Sequence, residues 1–187
     1  MLPYWPTPPP VLNGSRFQLV NARTSRRRKQ SLEHTNIDLS GLAAEVVDEL
    51  RVTDPAHQPS VTIQAGITAY GDISLLESVL ENLLGNAWKY TVRCAQPRIS
   101  FFCKPRGEGW IYIVEDNGPG FDMAYADQLF APFQRLHSQE AYPGIGIGLA
   151  TVQRIIRRHG GEIRAHSRTG ESARFSFTLR PGIFEAS

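Results

Sequence analysis

Apolar residues recur at two different periods along this chain, and the switches between them mark its elements. Leu42, Val46, Val47 and Leu50 repeat at helical spacing; Asp38 or Ser40 can cap that helix, and Pro55 and Pro59 end it. A second helix is predicted over 73–90, where Leu76, Val79, Leu80, Leu83, Leu84 and Ala87 cover one broad face. A third follows Gly148, with Leu149, Val152, Ile155 and Ile156 in phase and Gly160-Gly161 closing it. Between them lie short β-branched and aromatic runs. Strands are expected at 61–63 and 67–70, the latter leading into Gly71-Asp72 as turn and helix cap. Residues 98–104 and 110–115 read as a hairpin around the turn formers of 105–109, with 110–114 a buried strand. A short helical piece at 127–130 precedes a polar loop to Pro143 that is expected to be mobile, and strands at 162–166 and 173–179 finish the pattern.

Before about residue 35 the pattern is absent. Pro3, Pro6, Pro8, Pro9 and Pro10 oppose regular structure, and Arg23, Arg26, Arg27, Arg28 and Lys29 form a basic run with no apolar phase. Residues 1–35 are therefore read as a tail or linker, 36–181 as the folded domain and 182–187 as a C-terminal tail. The 187 residues allow one domain of ordinary size, which at about 150 residues buries about 70% of its extended surface. A formal net charge of +2 gives no argument for nucleic acid, and a basic run without interleaved aromatics reads as solvated. With no secretory core and no run of about 18 apolar residues, the expectation is a soluble cytoplasmic chain without membrane contact. Cys94 and Cys103 match no zinc spacing and suit a reducing compartment. His34, His57, His137, His159 and His166 make no pair at ligand spacing and are expected to be solvated.

Three stretches carry candidate chemistry. At 116–121 the apolar strand stops at Asp116-Asn117-Gly118-Pro119-Gly120-Phe121, which delivers a carboxylate into a forced turn. Gly118 and Gly120 let the backbone approach a flat ligand, and Asp116 can accept hydrogen bonds from an amino group. Taken alone, the six residues fit an ordinary strand-to-loop turn better than a ligand site. On the second helix Asn82, Asn86 and Lys89 fall within about 60° of one another, away from the leucine face. Amide oxygens suit Mg²⁺ and the ammonium suits a phosphate, although solvent exposure would also account for them. Third, Gly144-Ile145-Gly146-Ile147-Gly148-Leu149 feeds a helix N-terminus, whose free N–H groups and dipole form a phosphate site. Its spacing is neither the dinucleotide fingerprint nor a Walker loop, and the His-Arg-Asp and Asp-Phe-Gly signatures of eukaryotic protein kinases are absent.

In order, residues 81–90, the Asp116 turn, Phe130-Ala131-Pro132-Phe133 and the Gly144 to Leu149 loop resemble the N, G1, F and G2 boxes of one family. That family is the catalytic and ATP-binding domain of sensor histidine kinases, in the GHKL superfamily, and the resemblance covers about residues 38–180. The wording at 133–137 and 150–156 is most similar to PAS-linked and bacteriophytochrome-type kinases. The resemblance implies an α+β two-layer sandwich, the Bergerat fold: a mixed sheet with helices on one face and a mobile lid over ATP. It implies that Asp116 binds the adenine amino group, with Gly118 and Gly120 shaping the base pocket. Asn86, helped by Asn82, would coordinate Mg²⁺; Lys89 and Arg135 would contact phosphates; Tyr90 would lie near the sugar. Gly144, Gly146, Gly148 and Leu149 would close the lid over the triphosphate.

Within the superfamily, ATPases carry a glutamate four residues before the magnesium asparagine, and that position here is Asn82. Glu81 points about 100° away around the helix. A pocket without its own base suits transfer better than hydrolysis, so the expected activity is ATP:protein-histidine phosphotransfer, with ATP and Mg²⁺ as cofactors. Its expected partners are a dimerisation and histidine phosphotransfer domain and a response regulator receiver. No histidine hairpin is evident before Leu42, since His34 is followed by Thr35 in a polar stretch. The chain is then either a fragment or works on an acceptor supplied in trans. A nucleotide-binding interaction module without transfer, or a serine kinase of the anti-sigma type, is the alternative. The resemblance also sets Arg174 where a threonine often stands near the base.

Overall fold

In a computed structural model of the chain, residues 32–132 and 146–180 are described. Their elements run β1 (Thr35–Asp38), α1 (Leu39–Thr53), β2 (Ser60–Ile63), β3 (Thr68–Gly71), α2 (Ile73–Thr91), β4 (Arg98–Arg106) and β5 (Gly109–Asp116). A 3₁₀ segment (Met123–Phe130), α3 (Gly148–Arg158), β6 (Ile163–Arg168) and β7 (Ser172–Thr178) complete them. Five strands form a mixed sheet in the order β2-β4-β5-β7-β6, with β2 parallel to β4 and the other pairs antiparallel; β1 and β3 pair separately.

Helix starts follow the cap chemistry. Asp38 accepts from Gly41 N at 3.0 Å and so caps α1. Ser40, the other candidate cap, instead donates to Gln64 O and accepts from Ile67 N, both at 2.8 Å, tying the helix to the β2–β3 turn. Asp72 caps α2 through Leu75 N at 3.2 Å. All six apolar positions predicted for the face of α2 are buried, as are Val152, Ile155 and Ile156 of α3. Helix α2 packs against both α1 and α3 and is the middle of the helix layer.

Register decides which strand residues meet those helices. Phe101 lies opposite Val114, and Val114 opposite Phe175; one step along, Ile99 lies opposite Asp116, and Asp116 opposite Ala173. All six are buried, so this is the helix-covered face, and each large side chain on it stabilises by about 1.5–3 kcal/mol. Asp116 is thus a carboxylate at a core register position.

Four expectations need correcting. Strand β1 had no predicted counterpart, because its four residues show one buried position and three exposed ones. The hairpin loop is only Gly107-Glu108, since Arg106 pairs with Gly109; Gly107 takes φ +60°, which a two-residue loop requires. Trp110 is exposed although it begins a strand read as buried. His57 and His159 are buried: His57 Nε2 lies 3.0 Å from Thr91 Oγ1, while His159 Nε2 accepts from Asp72 N at 3.1 Å and Nδ1 meets Ile155 O at 2.9 Å. Burial lowers the pKa of His159 against the raising effect of that carbonyl. Among the described residues no cluster of three or more His, Cys, Asp or Glu could hold a metal, and no helix is long and apolar enough to cross a membrane.

Candidate functional site

The chain leaves β5 at Asp116 and turns at once. Gly118 N donates to Asp116 Oδ1 at 2.8 Å, an Asx-type turn that orients the carboxyl group. A Cβ on Gly118 would stand 2.8 Å from that oxygen and 3.0 Å from Tyr90 O, so only glycine lets the turn sit against the end of α2. Gly120 takes φ +61°, and a Cβ there would strike Arg168 O, Ser167 Oγ and Ser172 O. The turn is held on the other side by Ser167, whose Oγ accepts from Phe121 N and donates to Ser172 O, both at 2.7 Å. Nothing in the sequence pattern singled out Ser167.

Burial raises the Asp116 carboxyl to about 7; the Gly118 N–H draws it down part of the way, and Glu115 adds a smaller rise. Beside it, Cys94 donates its thiol to Asn117 O at 3.2 Å, and its own pKa is raised by burial and by Asp116.

The face of α2 holding Asn82, Asn86, Lys89 and Tyr90 is half-buried rather than solvated. Asn82 Nδ2 donates to Ser78 O at 2.7 Å, which turns Oδ1 toward the start of α3, where a Cβ on Gly148 would collide with it. Lys89 Nζ stands 4.2 Å from the Tyr90 ring centroid. Helix α3 begins behind Ile147, an apolar N-cap that makes no side-chain hydrogen bond, and Gly146 takes φ +76° just before it. The N-cap residue therefore supplies no side-chain acceptor to the first N–H groups of α3, a feature that suits anion binding at a helix start. Gly148 and Leu149 lie in its first turn.

Helix α2 is consequently the shared wall. Its middle touches the start of α3 through Asn82 and Gly148, and its end touches the Asp116 turn through Tyr90 and Gly118. Arg135 and Gly144, with the polar loop expected to be mobile, lie outside the described residues. Arg174 is not beside Asp116. It pairs with Glu115, so strand alternation points it to the opposite sheet face, where Nη2 bonds Glu115 Oε1 at 2.8 Å; the residue facing Asp116 is Ala173. Glu81 also points elsewhere: burial, Glu77 and then Glu49 of α1 raise its carboxyl to about 7.

This arrangement has counterparts. A model of the histidine kinase-, DNA gyrase B-, and HSP90-like ATPase family matches residues 71–183. Cyanobacterial phytochrome A of Nostoc sp. is 32% identical over 167 residues, covering 81% of this chain and 21% of its own length. Adaptive-response sensory kinase SasA of Thermosynechococcus vestitus is 32% identical over 164 residues, 86% of this chain and 43% of its own. The chain spans less than half the length of these curated relatives. The catalytic domain of histidine kinase ThkA matches with a TM-score of 0.66 at 23% identity, covering 79% of this chain and 95% of that domain. The mycobacterial sensor histidine kinase MprB gives 0.64 at 24% identity, covering 80% and 99%. Those two structures share the fold, helices on a mixed five-stranded sheet. With more than half of its residues inside the matched region, the chain belongs to the histidine kinase-, DNA gyrase B-, and HSP90-like ATPase family.

Proposed function

We propose that this domain, residues 36–181, binds Mg²⁺·ATP and transfers its γ-phosphoryl group to a histidine on a separate dimerisation and phosphoacceptor domain, for relay to a receiver aspartate. Asp116 accepts a hydrogen bond from the adenine amino group in the pocket shaped by Gly118 and Gly120. Asn86, with Asn82, supplies amide oxygens to Mg²⁺, whose role is to neutralise charge on the phosphates. Lys89 and Arg135 bind phosphate oxygens, Tyr90 lies by the ribose, and Gly144, Gly146, Gly148 and Leu149 present backbone N–H groups to the triphosphate. In the transfer, the bond from phosphorus to the ADP oxygen breaks and one to an imidazole nitrogen forms, with the ring proton passing to a base outside this pocket.

One observation carries the reading: a single helix, α2, contacts both the buried-carboxylate turn and the uncapped helix start, so base and phosphate subsites share one wall. Transfer is favoured over hydrolysis because Asn82 cannot take a proton from water and the neighbouring Glu81 faces α1. The test is incubation with labelled ATP, Mg²⁺ and a separately supplied histidine hairpin. Acid-labile, base-stable label on the hairpin is expected; free phosphate alone, or acid-stable label, would count against the assignment.

A further inference from the structure

Resting on the nucleotide reading above, we infer that Asn117 is a positioning residue that sets the spacing between the base subsite and the metal and phosphate subsites. Asn117 lies between Asp116 and Gly118, and all four of its polar groups are engaged. Its side chain accepts from Arg98 N at 2.7 Å through Oδ1 and donates Nδ2 to Gln96 O at 2.8 Å. Its backbone N donates to Arg98 O at 3.2 Å, and its carbonyl accepts the Cys94 thiol at 3.2 Å. Every partner belongs to the connector between α2 and β4 or to the first residue of β4, and that connector begins just after Lys89 and Tyr90. Within it Cys94 N donates to Thr91 O at 2.9 Å, extending the hold into the last turn of α2.

The consequence is mechanical. Asp116 is fixed by sheet register, and the end of α2 lies against the turn that follows it, where a Cβ on Gly118 would stand 3.0 Å from Tyr90 O. Asn117 supplies directional bonds that oppose separation, so Asn86 and Lys89 stay at a fixed reach from the purine-binding carboxylate. A ligand that uses only the base pocket does not need that reach, and one that spans both ends does.

Adenosine and a non-hydrolysable Mg²⁺·ATP analogue, titrated calorimetrically into the same preparations of the full chain, separate these roles. For Asn117→Ala, two side-chain hydrogen bonds are lost, and the ratio of analogue to adenosine affinity should fall about tenfold with adenosine affinity nearly unchanged. Asn117→Asp keeps the acceptor for Arg98 N but sets a carboxylate oxygen against Gln96 O, so the ratio should fall at least about threefold. Unfolded protein lowers the binding stoichiometry and leaves the ratio intact; if the alanine variant does not fold, the aspartate variant carries the test. A parallel loss for both ligands, or an unchanged ratio, overturns the positioning role while leaving the nucleotide reading in place. Failure of the unmodified chain to bind the analogue overturns that reading and this inference together.

Discussion

Replacing Asp116 with asparagine separates what the fold needs from what the ligand needs. In the folded chain the carboxyl lies opposite Ile99 and Ala173 and is 5% exposed. Burial, its largest cause, raises the pKa from 3.8 to about 7. Because the folded value exceeds the unfolded one, the native state holds this proton more tightly, so the contribution to stability is complete below the unfolded pKa and is lost as pH rises through about 7. At about 1.4 kcal/mol per unit, the loss between pH 5 and pH 8 is about 2–3 kcal/mol. The amide that replaces the carboxyl is neutral throughout, and its oxygen can still accept from Gly118 N. Urea unfolding should therefore show Asp116→Asn gaining about 2–3 kcal/mol more over the parent at pH 8 than at pH 5, about 5–10 °C in Tm. The same variant should lose Mg²⁺·ATP affinity by about two orders of magnitude, since an amide NH₂ would face the adenine amino group. In the parent, affinity should also weaken below pH 7, up to tenfold per unit, because only the ionised carboxylate accepts that bond freely. A stability difference that does not change with pH would refute the buried-charge argument, and undiminished binding would refute the adenine assignment.

Gly120→Ala forces a side chain into φ +61° and against two carbonyls of the β6–β7 turn, so a loss of about 2–4 kcal/mol is expected in thermal or urea unfolding; parent-like stability would show that the turn shifts freely. Gly148→Ala gains about 1 kcal/mol of helix propensity but displaces the Asn82 amide, so Tm should stay near the parent's while Mg²⁺·ATP affinity falls several-fold; equal affinity by calorimetry would separate Asn82 from the metal. Glu81→Gln removes a carboxyl raised to about 7 by burial, Glu77 and Glu49. By the same sign, it should stabilise above pH 7 relative to pH 5, with nucleotide affinity unchanged; a loss of phosphotransfer at constant affinity would instead make Glu81 a base.

The helices were legible because each has an apolar phase inside its own sequence and two of them a cap residue: Asp72 and the leucine face of α2 define it without tertiary help. The motifs were legible for a related reason, since glycine spacing records backbone geometry that no other residue tolerates, as Gly118 and Gly120 show. What escaped depended on register. Which of Glu115 and Asp116 enters the core is set by pairing with β7, and the same pairing moved Arg174 from the base to the outer face. Single hydrogen bonds over long separations escaped as well: Ser167 to Phe121 spans 46 residues and His159 to Asp72 spans 87, and neither serine nor histidine at those positions breaks any local pattern.

The residues assigned to ligand binding are also those whose local chemistry opposes the folded chain. Asp116 takes a position suited to an apolar side chain, Ile147 stands where a helix start prefers an acceptor, and Asn82 and Asn86 interrupt a leucine-rich helix. On the proposed reading the ligand would offset each: a donor for the carboxylate, an anion for the helix start, a cation for the amides. Mg²⁺·ATP carries all three, with an amino group at one end and a chelated polyphosphate at the other. Separate ligands could satisfy them one at a time, but the wall shared through α2 favours one molecule that presents the three chemistries together. The distribution of local costs along the chain therefore favours the same ligand that the resemblance implies.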